Sequence, residues 1–166
     1  MRWDDKHSDG RGFSIDYPIP NPEKAYAGKR DLLNPDHESI YGHEPLLIPL
    51  AVFHSKLSTM QLVVKYLHDY RGLDFKEISR LTGRAYKTVW TTYSQVKGRE
   101  LVVVSSSINV PVSIFSTTSL SPLEALVSYL KSLDLRNSEI AVLLMKDQRT
   151  VWTVFHRASE KEVANG

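Results

Sequence analysis

The tetrapeptide Thr88-Val89-Trp90-Thr91 returns unchanged as Thr150-Val151-Trp152-Thr153, and its surroundings return in register. Ile48-Pro49-Leu50-Ala51-Val52-Phe53 is echoed by Val110-Pro111-Val112-Ser113-Ile114-Phe115, Leu57-Ser58 by Leu120-Ser121, Glu77-Ile78 by Glu139-Ile140, and Tyr93 by Phe155. The copies stand 62 or 63 residues apart, one residue being gained and one lost in loops. A duplication constrains the fold more than any composition, because each copy must be one unit of the same shape. The chain divides accordingly into an irregular arm (1–45), a first unit (46–99), a linker (100–109) and a second unit (110–166).

Each copy carries the signals of three helices. Ser58 is placed to cap a helix from Thr59 to Tyr70, with Leu62, Val63, Tyr66 and Leu67 on one face and Gly72 as the stop. In the second copy Ser121-Pro122-Leu123-Glu124 is a capping box: the Ser oxygen accepts from a first-turn amide, Pro sits where no donor is needed, and Glu reaches back. That helix runs to about Leu133, with Leu123, Leu126, Val127 and Leu130 inward. Second helices are expected at Phe75–Leu81, behind the cap Asp74, and at Asn137–Leu144, with Ile78, Leu81, Ile140 and Leu143 inward. Third helices are expected from Ala85 to Val96 and from Gln148 to Ser159, Asp147 capping the last. Leu101-Val102-Val103-Val104 between the copies is either a short strand or a buried linker. The arm holds five of the eight prolines; Asn21–Gly28 is its one candidate helix, and its aromatics Trp3, Phe13, Tyr17, Tyr26 and Tyr41 call for a docking surface.

Composition then narrows the classes. An apolar fraction of 42% and a charged fraction of 24% belong to a soluble globular chain, not to a disordered or fibrous one. No stretch approaches the ~20 apolar residues of a membrane span, and Met1–Lys6 is not the start of a secretory signal. A cytoplasmic, nucleoid-associated location and no membrane partner are expected. The absence of cysteine excludes disulfides and thiolate metal sites. The net charge of +2 is unevenly spread: Lys and Arg against Asp and Glu number 6 and 9 in residues 1–45, 9 and 4 in 46–100, and 6 and 6 in 101–166. A polyanion is drawn to the middle third.

The segment from Phe75 to Val89 places a Gly in a tight turn between two short helices, which lets them cross steeply and leaves the third projecting. It resembles the fourth conserved region of bacterial sigma factors and related helix-turn-helix families, with Gly72, Leu73, Glu77, Ile78, Gly83, Thr88 and Val89 filling the places of that pattern. About 30 residues per copy carry the resemblance. It implies a mainly α fold of two tandem three-helix helix-turn-helix units, with double-stranded DNA bound by the third helix of each. The second copy departs from the pattern: Met145 stands where the turn Gly would be, and no glycine matches Gly72. No segment resembles the sigma region that opens the promoter.

The exposed face of the first third-helix is expected to carry Arg84, Tyr86, Lys87, Thr91, Ser94 and Gln95, and that of the second Lys146, Gln148, Arg149, Thr153, His156 and Arg157. Arg and Lys suit guanine edges or phosphates, Gln can read adenine, and Ser and Thr hydroxyls hold phosphates. Trp90 and Trp152 follow the buried Val89 and Val151. They are expected to pack on the Pro-containing segments or against one another, in preference to meeting DNA.

His37 and His43 with Asp36, Glu38 and Glu44 fit no metal-ligand spacing, and no phosphate loop, nucleotide-binding glycine pattern or nucleophile elbow is present. Neither catalysis nor a cofactor is expected. Three functions fit: a transcription regulator using both units on one duplex; an architectural coating or assembly protein whose arm contacts neighbouring subunits in a homo-oligomer; or a helix-turn-helix scaffold kept for protein contacts such as RNA polymerase.

Overall fold

The computed structural model describes residues 45–164, and these are mainly helical. The expected Asn21–Gly28 helix, the arm aromatics and the His37/His43 group lie outside them. Among the described residues, no helix is long and apolar enough to cross a membrane.

A short strand β1 (Leu47–Pro49) leads into a 3-10 turn, η1 (Leu50–Phe53), and then helices α1 (Thr59–Asp69), α2 (Phe75–Thr82) and α3 (Tyr86–Ser94). The same order follows again: β2 (Asn109–Pro111), η2 (Val112–Phe115), α4 (Pro122–Ser132), α5 (Asn137–Leu143) and α6 (Gln148–Ala164). The expected caps form. The Ser58 and Ser121 hydroxyls accept from the amides of Gln61 and Glu124, both at 3.3 Å, and the Asp74 carboxylate accepts from Glu77 at 2.8 Å. Each satisfies one of the amides a helix start leaves without an intrahelical partner, worth about 1 kcal/mol.

Helix ends follow from backbone handedness. Among the described residues, positive φ occurs at Gly72 (69°), Gly83 (61°), Asp134 (62°) and Met145 (51°), two positions repeated 62 residues apart. Asp134 thus takes over the conformation of Gly72 although no glycine stands there, a role short polar side chains tolerate. The turn hydrogen bonds repeat too: Arg84 N–H donates to Ser79 O at 3.1 Å and Lys146 N–H to Ala141 O at 2.9 Å. Met145 therefore makes the same turn as Gly83, at a cost of about 1–2 kcal/mol for its Cβ. Met145→Gly is expected to raise stability by about 1 kcal/mol in urea unfolding; a loss of stability would mean the methionine side chain contributes more than its backbone costs.

The strands pair antiparallel, with Ile48 opposite Val110, Leu47 opposite Pro111 and Pro49 opposite Asn109. Flanking bonds are reciprocal: Leu50 N–H donates to Ile108 O and Val112 N–H to Leu46 O, both at 2.9 Å. Each 3-10 segment then crosses over. The end of η2 lies against α2, and η1 packs on α5, where the His54 ring nitrogen meets Leu143 O at 3.2 Å. One apolar cluster consequently spans both halves, from Ile48, Leu62, Ile78 and Val89 to Val110, Phe115, Leu126, Ile140 and Val151. Each fully buried aliphatic side chain there contributes about 1.5–3 kcal/mol.

Leu101-Val102-Val103-Val104 forms no strand: Leu101 is buried, Val102 and Val104 are exposed. Tyr70 Oη donates to Leu101 O at 2.6 Å and pins this connection to the end of α1. The segments that do pair carry Pro49 and Pro111, so they are limited to three residues each.

Candidate nucleic-acid interface

Each third helix is fastened to the first helix of its own triplet, and the fastenings differ. In the first half, buried Lys65 of α1 pairs with Asp69 at 2.6 Å, and Tyr93 Oη of α3 donates to the same carboxylate at 2.8 Å. The His68 ring sits against Phe75 and Tyr93, each centroid 4.5 Å away. In the second half, Lys161 near the end of α6 reaches back to the buried Glu124 of α4 at 2.7 Å. That contact and the buried Ala158 carry α6 to Ala164, past the expected end at Ser159.

Burial works to raise the pKa of both carboxyls, but it is outweighed. Hydrogen bonds from Lys65 and Tyr93, with the charges of Lys65 and His68, hold Asp69 below its ordinary value; Lys161 and the Ser121 bonds do so for Glu124. Burial and the Asp69 carboxylate raise Tyr93. A lowered carboxyl pKa means that folding favours the ionised form. The stability it contributes is present above the ordinary carboxylate range, about pH 4, and is lost as pH falls through the lowered folded value. The melting temperature is thus expected to drop on going from pH 5 to pH 2, less steeply in Glu124→Gln. Equal slopes for the variant and the parent chain would show that this pair does not contribute.

With their buried faces fixed by Val89 and Val151, the two helices present the opposite face to solvent. On α3, Tyr86, Lys87, Thr91 and Gln95 are exposed, while Arg84 and Ser94 are partly buried. On α6 and its leading turn, Gln148, Arg149, His156 and Arg157 are exposed, and Lys146 and Thr153 are partly buried. The expected residues are therefore brought together on one face of each helix.

Their chemistry is not uniform. Arg84 has its Nε buried without a hydrogen-bond partner. Ser94 Oγ donates to Trp90 O at 2.8 Å and Thr153 Oγ1 to Arg149 O at 3.0 Å, so these hydroxyl protons already serve their own helices. Gln95 accepts from Gln61 at 3.1 Å. His156 stacks on Trp152, 5.1 Å between centroids, and approaches Glu160 at 3.5 Å. The cations Lys87, Arg149 and Arg157 carry the face.

The tryptophans do not pack as expected. Trp90 is 52% exposed and Trp152 56%, each on the outer face of its third helix. One residue beyond a buried valine is a 100° rotation, which carries the ring past the edge of the apolar stripe. The Pro-containing segments are covered instead by the second helix of the opposite half. Their helical phase, one residue past Val89 and Val151, is the signal that sets Trp90 and Trp152 on the outer faces and not in the packed positions expected for them. Beside Trp152 an open concavity of about 420 Å³ is lined by Asn137, Gln148 and Arg149. At the matching place in the first half, Phe75 and Tyr86 meet edge to face at 6.4 Å.

The helix starts also differ. Ala85, before α3, offers no side-chain cap, whereas Asp147 accepts from the Thr150 amide and hydroxyl, both at 2.7 Å. Those bonds lower the Asp147 pKa, so a carboxylate charge occupies the start of α6. Among the described residues, no cluster of His, Asp and Glu is disposed to hold a metal. The chain matches no family model, no curated protein and no solved structure.

Proposed function

We propose that α1–α3 and α4–α6 are two helix-turn-helix units of one duplex-binding protein, which binds double-stranded DNA through α3 and α6 and acts as a transcription regulator. The observation that carries this reading is the composition of the two outer helix faces. Both follow a tight left-handed turn, and both combine cations with a half-exposed Trp and a Thr at positions related by the 62-residue shift. A projecting helix of this width fits a major groove about 12 Å wide, and an indole there can meet thymine methyl groups while Lys and Arg take phosphates or guanine.

The test is retardation of a duplex of random sequence by the full chain. Binding at low salt that falls steeply as salt rises supports the proposal; no retardation at any salt removes it. The unlike helix starts give a finer check. The uncapped start of α3 suits a phosphate and the start of α6 does not. Ala85→Asp is accordingly expected to stabilise the fold by up to about 1 kcal/mol while weakening duplex binding severalfold. Unchanged binding in that variant would exclude a phosphate at this helix end.

A further inference from the structure

Given the duplex-binding role proposed for α3 and α6, we infer that the DNA element this chain selects is an imperfect inverted repeat: two unlike half-sites in opposite orientation, contacted by one chain. A sequence repeat states that two units are alike but not which operation relates them. Head-to-tail units, related by translation, would meet half-sites in the same orientation; units related by a two-fold meet them in opposite orientations.

The contacts between the halves are those of a two-fold. Antiparallel pairing centres on Ile48 opposite Val110, which occupy the same place in the two copies. The pairs on either side, Leu47 with Pro111 and Pro49 with Asn109, exchange under the 62-residue shift. Leu50 N–H to Ile108 O and Val112 N–H to Leu46 O are one bond made twice in opposite senses. Phe53 and Phe115, again equivalent, meet with centroids 6.0 Å apart. Contact between equivalent residues with antiparallel strands is the mark of an isologous interface, here built within a single chain. The strands, the 3-10 segments and the first and second helices of both halves form it, while α3 and α6 each pack on their own triplet.

A compact body of this length is roughly 35 Å across, of the same order as one ~34 Å duplex turn, so both outer helices fall within the span of a single duplex. The half-sites have a common part and a different part. Trp90 and Thr91 have identical counterparts in Trp152 and Thr153, whereas Arg84, Tyr86, Lys87, Ser94 and Gln95 face Lys146, Gln148, Arg149, His156 and Arg157.

Selection by the full chain from a duplex library with a randomised core tests this. The expected product carries two motifs in opposite orientation, centred about 10 base pairs apart, in a complex of one chain and one duplex. A second selection uses a chain with Lys146→Arg, Gln148→Tyr, Arg149→Lys, His156→Ser and Arg157→Gln, which makes the two faces alike; its element is expected to become a more perfect palindrome. Motifs in the same orientation, a single motif, no enrichment, or two duplexes on one chain would each overturn the inverted arrangement while leaving duplex binding standing. Failure to retain any duplex at low salt would overturn the binding proposal as well.

Discussion

Gly83→Ala is expected to lower the unfolding free energy by about 3 kcal/mol, where Gly72→Ala costs only about 1. Both glycines sit at positive φ, 61° and 69°, so both substitutions strain the backbone. Only at Gly83 does a Cβ meet an obstacle: it would lie 2.5 Å from Ser116 O, a backbone atom of the opposite half, while at Gly72 nothing lies within 4 Å. Relief requires the end of η2 to move off α2, and with it the Phe115 ring that meets Phe53. The turn before α3 and the interface between the halves are thus one structural feature. Urea unfolding of the two variants checks this, with a melting temperature drop of roughly 10 °C for Gly83→Ala. Equal costs would show that the contact with Ser116 yields easily.

Replacing Lys87, Arg149 and Arg157 together by Ala is expected to weaken duplex binding on the order of a thousandfold near 0.1 M salt and to reduce the salt slope by about three. All three are exposed, so the fold should be left intact, with a melting temperature within a few degrees of the parent chain. Arg84 is a poorer probe because it is partly buried, its Nε included. A fluorescence titration over several salt concentrations measures both quantities. Affinity and slope unchanged in the triple variant would mean that these faces do not meet the duplex.

The helices were legible because their signals are local. Ser58, Asp74, Ser121 and Asp147 each lie three residues from the amide they cap, so cap and helix can be read from one short window. The outward faces of α3 and α6 followed from the period of 3.6 once Val89 and Val151 were placed inside. What escaped depends on residues far apart in the chain. The pairing of Leu47–Pro49 with Asn109–Pro111 joins segments about 62 residues apart, and proline conceals so short a strand. The crossing of each 3-10 segment onto the opposite half left no local trace. It also decided where the tryptophans sit, because the surfaces they were expected to cover are covered by α2 and α5. The extension of α6 past Ser159 rests on Lys161 finding Glu124, 37 residues away.

The most direct test of the account is an amide and indole NMR titration of the full chain with a 30-base-pair duplex at low salt. Signals of residues 84–95 and 146–157, including both indole N–H groups of Trp90 and Trp152, are expected to shift together on binding while those of α1 and α4 stay in place. Shifts confined to other surfaces, or a spectrum that the duplex leaves unchanged, would contradict it.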